Sequence, residues 1–166
     1  TAELCAGLFH DSGADGVPIA SFSDFYCPNC SEVRPALARL APEAQVTLHE
    51  WPVFGARSEF LARVALAAGL QGAHAEMNAA LLRRRAVPSP GGARAAAEDL
   101  GLDAERLVAD LSSDAVTAQL ERTRALARVL GLVGTPSLVI GDTVVTGLPA
   151  ARILRALADG ARTPCA

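Results

Sequence analysis

The chain has 166 residues, of which 51% are hydrophobic and 20% charged, and its formal net charge is -3. This length accommodates one domain, or one core with a modest insertion. Basic and acidic residues are interleaved along the chain, which excludes the basic face of a nucleic-acid-binding protein. No apolar run reaches the roughly 18 residues that a membrane-spanning helix requires.

The first third of the chain predicts two strands and one helix. Residues 1–16 contain few apolar positions and are interpreted as a short lead-in, and the run 17–25 predicts a strand. A helix is expected from the C-x-x-C pair to about residue 40, with Pro28 in its first turn and Pro35 kinking it. Residues 46–50 predict the second strand.

The middle of the chain has the three- and four-residue apolar spacing of packed helices. Ser58 is expected to cap the first of these helices, and a second helix covers about residues 73–84. The turn residues at 87–92 end that helix. Two short helices, the second capped by Asp103, and a longer helix over 114–130 complete this region.

The pattern returns to strands near the end of the chain. Residues 137–140 and 143–145 flank the pair Gly141-Asp142, which predicts a two-residue hairpin. A last helix is expected over 149–158. The order of strand, helix, strand, a block of helices, two strands and a helix predicts a mixed α/β fold.

The four cysteines are Cys5, Cys27, Cys30 and Cys165. The N–H groups and dipole of a helix that begins at Cys27 would favour a thiolate there, and Cys30, one turn later, could close a disulfide with it. C-x-x-C pairs also occur in zinc sites, but no second closely spaced pair accompanies this one, so we expect no metal. Cys5 and Cys165 either form a structural disulfide or remain two unpaired thiols.

The run Phe-Ser-Asp-Phe-Tyr-Cys-Pro-Asn-Cys, which ends at Cys30, resembles the active-site signature of DsbA-like thiol–disulfide oxidoreductases in the thioredoxin superfamily. Gly134-Thr135-Pro136 is similar to the family's cis-proline loop, and Glu50-Trp51-Pro52 to the end of its second strand. The resemblance covers nearly the whole chain. It implies a thioredoxin-like fold with an inserted helical domain, the core being 1–54 and 132–166 and the insertion 55–131.

The resemblance also implies a client-binding surface around the cysteines. A cis bond before Pro136 would turn the Thr135 backbone toward an extended client segment, whereas an ordinary trans proline is the alternative. We expect Pro28, Asn29, Thr135 and Pro136 to contact the client. Asn29 stands where the family's strongest oxidants have histidine, and Thr135 where they have valine, so the redox direction stays open.

Two carboxylates are candidates for a proton relay to the cysteines. Asp24, three residues before Cys27, is either such a relay or a carboxylate that caps the start of the helix. Glu50, at the end of the second strand, either assists proton transfer to Cys30 or faces solvent.

The function that the resemblance predicts is the introduction of disulfides into unfolded or reduced protein clients, with Cys27 as nucleophile, Cys30 as resolving cysteine and no cofactor. A disulfide isomerase or reductase is the first alternative, and a non-catalytic metal- or peptide-binding module is the second. The family further implies a periplasmic protein whose signal peptide has been removed and a membrane redox partner that reoxidises it. The short lead-in predicts a monomer, because isomerases of the family associate through N-terminal extensions.

Overall fold

The structure is a computed structural model that describes residues 2–10, 16–40, 43–83 and 89–161. In chain order its elements are α1 (Ala2–Leu8), β1 (Val17–Ser23), a 3₁₀ turn (Cys30–Glu32), α2 (Val33–Leu40), β2 (Ala44–Glu50), α3 (Ala56–Gly69), α4 (His74–Arg83), α5 (Pro90–Asp99), α6 (Ala104–Asp110), α7 (Asp114–Val129), β3 (Ser137–Ile140), β4 (Thr143–Thr146) and α8 (Ala151–Gly160). Within the described ranges, no helix is both long enough and apolar enough to cross a membrane.

A four-stranded sheet in the order β2-β1-β3-β4 lies at the centre of the fold. β1 runs parallel to β2, and β3 runs antiparallel to both β1 and β4. Ser137, the first residue of β3, pairs with Phe22 near the end of β1. This register brings the segment that precedes β3 beside the cysteine segment that follows β1.

Helices cover both faces of the sheet, which explains why the central strands β1 and β3 are buried along nearly their whole length. One face packs against α2 and α8 through a cluster that includes Leu37 and Leu154. The opposite face packs against α1 and α7 through a cluster that includes Leu8 and Ala127. The fold is therefore the mixed α/β fold that the sequence predicted.

The helices α3 to α7 follow β2, precede β3 and share a separate core. Half of the buried residues in this core are alanines: Ala62, Ala65, Ala67, Ala68, Ala93, Ala96 and Ala97. Their small side chains let the helix axes approach closely. These helices occupy the place in the chain order that was expected for a helical insertion.

Most of the predicted elements are confirmed, including two local signals. Asp103 caps α6, its Oδ1 accepting a hydrogen bond of 3.0 Å from the Arg106 N–H. The hairpin turns at Gly141-Asp142, where Gly141 has a φ of 59° that residues with a side chain rarely adopt. Ser89 caps α5 and Pro90 is its first residue, so the loop predicted at 87–92 ends earlier than expected; residues 84–88 lie outside the described residues.

Two predictions about helix starts are wrong. The lead-in contains α1, because Leu4 and Leu8 lie one turn apart and pack on the core beside α7. Ser58 does not cap α3, which begins at Ala56 after Gly55, a residue with a φ of 88°. Ser58 is instead wholly buried and its hydroxyl donates to a carboxylate near the cysteines.

Candidate active site at Cys27 and Cys30

Cys27 and Cys30 are free thiols in the turns between β1 and α2. The Cys27 N–H donates to the Asp24 carbonyl at 3.1 Å, and the Cys30 N–H donates to the Cys27 carbonyl at 3.2 Å. Cys27 is 6% exposed and Cys30 is 1% exposed, whereas Pro28 and Asn29 between them are exposed. The segment therefore presents its two middle residues to solvent and encloses Cys30 more completely than Cys27.

The helix after β1 does not begin at Cys27, contrary to the sequence prediction. A 3₁₀ turn covers Cys30–Glu32, and α2 begins at Val33. Pro35 explains this offset, because it has no N–H to donate to the Ser31 carbonyl as a regular α-helix requires. Pro35 thus lies in the first turn of α2 and does not kink its interior, and no α-helix terminus lies directly at Cys27.

The loop before β3 contacts the cysteine pair. The Thr135–Pro136 peptide bond is cis, and the Cys27 thiol donates a hydrogen bond of 3.4 Å to the Thr135 carbonyl across 108 residues of sequence. The loop is held on both sides, since the Ser137 hydroxyl donates to the Gly134 carbonyl at 2.6 Å and the Gly147 N–H donates to the Pro136 carbonyl at 2.7 Å. The structure thus brings together the segments that the sequence suggested for one site.

The pKa of the Cys30 thiol is raised from 9.0 to about 12, mainly by burial. The hydrogen bond and charge of the neighbouring Cys27 sulfur contribute to this rise, while the Asp24 backbone and the Thr135 side chain act in the opposite direction. The Thr135 hydroxyl is buried and makes no hydrogen bond of regular geometry within the described part of the chain. Cys30 is therefore protonated at neutral pH.

Asp24 is 1% exposed, and its carboxylate accepts four hydrogen bonds. Oδ1 accepts from the Tyr26 N–H and the Ser58 hydroxyl, both at 2.7 Å. Oδ2 accepts from the N–H groups of Val53 and Phe54 at 2.7 and 3.1 Å. The carboxylate therefore fastens the cysteine segment to the β2–α3 connection and to α3, and the relay role suggested for Asp24 stays a prediction.

Glu50 is 2% exposed, so the alternative that it faces solvent is wrong. Its Oε1 lies 2.9 Å from Nε2 of His74 and accepts a hydrogen bond of 2.8 Å from the Asn78 amide. Both partners belong to α4, which covers the end of β2. Neither the charge of Glu50 nor that of Asp24 is among the strongest influences on the pKa of Cys30. The relay role of Glu50 stays a prediction.

Sequence reasoning missed the partners of both carboxylates. His74 and Asn78 are four residues apart and so share one face of α4, a spacing that could have marked them as a pair. Nothing in the sequence indicated that this face packs on Glu50. The buried Ser58 was also missed, because a serine near a helix start suggests a cap.

Further expectations concerned the outer cysteines and metals. Cys5 is disulfide-bonded, but its predicted partner Cys165 lies outside the described residues, so that pairing stays a prediction. In the ranges that the structure covers, no group of three or more histidine, cysteine, aspartate or glutamate side chains could hold a metal ion.

The chain is similar to a known protein family and to several solved structures. The family model described as a DSBA-like thioredoxin domain matches residues 18–157. A thioredoxin-like oxidoreductase from Silicibacter pomeroyi DSS-3 is 33% identical, with a TM-score of 0.82 over 93% of this chain and 95% of that one. No match was found among curated proteins.

Two more distant solved structures share the fold. The thiol-disulfide exchange protein alpha-DsbA2 from Wolbachia pipientis is 21% identical, with a TM-score of 0.83 over 95% of this chain and 91% of that one. A periplasmic thioredoxin-like protein from Salmonella enterica serovar Typhimurium is 22% identical, with a TM-score of 0.73 over 95% of this chain and 94% of that one. The thioredoxin-like fold is therefore shared over nearly the whole length.

Proposed function

Because the chain belongs to the DSBA-like thioredoxin domain family of thiol–disulfide oxidoreductases, we propose that it introduces disulfides into unfolded or reduced protein clients. Cys27 is the nucleophile and Cys30 is the resolving cysteine. The observation that carries this proposal is the inequality of the two thiols, since Cys30 is enclosed and has a strongly raised pKa while Cys27 touches the cis-proline loop.

The oxidised protein reacts first at Cys27, the more exposed of the two sulfurs. A client thiolate attacks the Cys27 sulfur, the Cys27–Cys30 bond breaks, and the Cys30 sulfur leaves with the electron pair and takes up a proton. A second client thiolate then attacks the client sulfur of the mixed disulfide and releases Cys27 as a thiolate. Two electrons have passed from the client to the protein, and the client carries a new disulfide.

The raised pKa of Cys30 affects what happens to the mixed disulfide once it has formed. A thiol whose pKa is about 12 is almost wholly protonated at neutral pH, and a protonated thiol is a poor nucleophile. Cys30 therefore competes weakly with a second client thiolate for the mixed disulfide. A reductase would need Cys30 to attack quickly at that stage.

The loop contacts support a client site made from Pro28, Asn29, Thr135 and Pro136. In the reduced protein the Thr135 carbonyl accepts the hydrogen of the Cys27 thiol. A disulfide at Cys27 has no S–H, so in the oxidised protein and in the mixed disulfide this carbonyl is available to a client N–H. Client pairing at Thr135 is thereby linked to the redox state of Cys27.

Oxidation of a peptide with two cysteines tests the assignment. Cys27→Ser should abolish oxidation. Mixed with the disulfide-bonded form of the peptide, reduced Cys30→Ser should accumulate covalent complexes, because its Cys27 thiolate opens the peptide disulfide, one peptide thiol is released, and no Cys30 thiol is present to displace the bound peptide. Iodoacetamide at pH 7 should label Cys27 of the reduced protein faster than Cys30, as read by peptide mass spectrometry. Full turnover by Cys30→Ala would show that the resolving assignment is wrong.

A disulfide isomerase is the second candidate function. The observation that favours it is Thr135, whose hydroxyl lies beside the cysteines and lowers the pKa of Cys30. The equilibrium constant with glutathione separates the two, since an oxidase has the less stable disulfide. A stable dimer or trimer by native mass measurement would favour the isomerase over the proposed monomeric oxidase.

We further propose a periplasmic location and reoxidation by a membrane-bound redox partner. The disulfide at Cys5 supports an oxidising compartment, and the related Salmonella protein is described as periplasmic. In reoxidation, the Cys27 thiolate attacks a disulfide of the partner and releases one partner thiol. Cys30, once it has lost its proton, then attacks the Cys27 sulfur, and the second partner thiol leaves as the Cys27–Cys30 bond closes. Accumulation of the reduced form in cells from which membrane thiol oxidases are deleted would support this route.

A further inference from the structure

A groove runs along the outer edge of β2, which is a terminal strand of the sheet. A cavity of about 530 Å³ borders Leu48 and Glu50, and a cavity of about 430 Å³ borders Val46 and Leu48. The two share His10, Leu48, Leu66, His74 and Gln119. We refer to the two cavities together as the β2 groove.

The strand register determines which backbone groups face the β2 groove. The Trp51 N–H donates to the Ser23 carbonyl of the β1 side at 2.9 Å, so the odd-numbered residues of β2 bond to β1. The N–H and C=O groups of Val46, Leu48 and Glu50 therefore point away from β1, and those of Val46 and Leu48 border the groove, whereas Glu50 is 2% exposed and lies under α4. Nothing in the described ranges hydrogen-bonds to these backbone groups.

The opposite side of the groove carries a buried acceptor and an apolar wall. Gln119 lines both cavities, and its side-chain oxygen Oε1 is buried beneath their surface with no hydrogen-bond partner among the described residues. Leu66, Leu126 and Val129 supply apolar surface beside it. On one side of the groove the edge of β2 offers backbone donors and acceptors. On the other side, the side-chain oxygen of Gln119 is an acceptor that lacks a donor.

We propose that the β2 groove binds an extended segment of an unfolded polypeptide, which adds a strand to the edge of β2. An extended chain has the alternating N–H and C=O groups that pair with such an edge, and its outer N–H groups can donate to Gln119. Residues of α1, α3 and α7 line the groove, so the edge strand of a second folded copy cannot enter it. The identification of this polypeptide as a client rests on the proposed function. The binding of an extended segment in the groove does not depend on that function.

The charged residues that line the groove indicate which polypeptide segments it can bind. Glu3, Glu50 and Glu76 line the two cavities against one cation, Arg122, which leaves a formal charge of -2 when the histidines are neutral. A segment that is apolar at alternate positions and carries a lysine fits this groove better than one that carries a glutamate.

Amide exchange read by NMR tests strand addition directly. The probe is a cysteine-free peptide of seven residues, the length of β2, with alternating valine and threonine and a central lysine. Saturating peptide should slow exchange at Val46 and Leu48 by about tenfold or more and leave Thr47 and His49 unchanged, because these two are already paired with β1. Unchanged exchange at Val46 and Leu48 would overturn the proposal.

A matched pair of variants on α7 tests the location. Ala125 lines the groove and Ala115 does not, and both are exposed. Ala125→Trp fills the groove and should weaken peptide binding about tenfold, whereas Ala115→Trp should not change it. Equal affinities of the two variants would show that the peptide binds elsewhere.

Two controls separate this proposal from the redox function. Cys27→Ser should bind the cysteine-free peptide with unchanged affinity, because the groove contains neither active-site cysteine. Ala125→Trp should still oxidise a short two-cysteine peptide at the rate of the parent protein. Loss of groove binding in Cys27→Ser would contradict an independent groove, and loss of peptide oxidation in a folded Ala125→Trp would do so as well.

Discussion

Asp24 and Glu50 are two buried carboxylates at the same end of neighbouring parallel strands, yet they are held in different ways. Glu50 pairs with Ser23 in the β1–β2 register, and Asp24 is the next residue after Ser23. Asp24 accepts hydrogen bonds on both oxygens, and three of its four donors are backbone N–H groups. Glu50 is held by the side chains of His74 and Asn78, both at Oε1.

Burial of an acid near a redox-active cysteine therefore does not by itself indicate proton transfer. Asp24 determines the shape of the loops around Cys27, because backbone donors cannot turn elsewhere without moving the chain. Glu50 attaches α4 to β2 through side chains that can rearrange. The isosteric variants Asp24→Asn and Glu50→Gln therefore test opposite expectations.

The largest expected effect belongs to Asp24→Asn. The new amide keeps one oxygen, but its N–H₂ group faces two hydrogen-bond donors, which are either the N–H groups of Val53 and Phe54 or the Tyr26 N–H and the Ser58 hydroxyl. We expect a loss of about 3 kcal/mol in the free energy of unfolding, with slower peptide oxidation because the segment before Cys27 is no longer fixed. Urea unfolding of the oxidised protein measures the first effect. A loss below about 1 kcal/mol would contradict the structural role of this carboxylate.

Ser58→Ala should have a smaller effect on the same cluster. It removes one donor and leaves three hydrogen bonds to Asp24, so we expect a loss of about 1 kcal/mol in the free energy of unfolding. Ser137→Ala, which removes a buried hydroxyl that donates to the Gly134 carbonyl, provides a control of the same chemistry in the other loop. If Ser58→Ala destabilised as much as Asp24→Asn, the backbone donors would not be the main partners of Asp24.

Glu50→Gln should be milder still, because its Oε1 can keep both hydrogen bonds. We expect a change of about 0.5 kcal/mol in the free energy of unfolding and unchanged alkylation of Cys27 at pH 7. The comparison with Asp24→Asn would fail if Glu50→Gln were equally destabilising. A slower alkylation of Cys27 would instead support a role for Glu50 in proton transfer at the cysteine pair.

The smallest expected effect is that of Glu50→Gln on the alkaline stability of the reduced protein. The pKa of Cys30 is raised from 9.0 to about 12, mainly by burial, so above about pH 9 the unfolded chain loses a proton that the folded chain keeps. The free energy of unfolding should therefore be unaffected by Cys30 below pH 9 and decrease as the pH rises toward about 12.

Urea unfolding across this pH range measures the decrease, and Cys30→Ser should remove the part that is due to Cys30. Glu50→Gln should show the same decrease as the parent protein, because the charge of Glu50 is not among the strongest influences on the pKa of Cys30. A displaced profile in Glu50→Gln would show that the two groups are coupled.

Much of the fold could be predicted from local patterns. The spacing of apolar residues located the strands and the block of helices, and the cap at Asp103 and the turn at Gly141 follow from the chemistry of those residues. Errors arose where a local signal had a second interpretation. Ser58 is a good capping residue, but its hydroxyl is buried against Asp24. The sequence did not indicate α1, because only two leucines, Leu4 and Leu8, mark its apolar face.

The residues available for redox chemistry, and the family to which they point, could be read from the sequence, because the spacing of Cys27 and Cys30 and the residues around them are local properties of the chain. How the two cysteines differ depends on the folded structure. Cys30 is buried more completely than Cys27. The antiparallel pairing of β1 with β3 brings the Thr135 carbonyl to the Cys27 thiol. Helix packing encloses Glu50. Desolvation and hydrogen-bond partners depend on which distant segments meet, and no local pattern specifies those meetings.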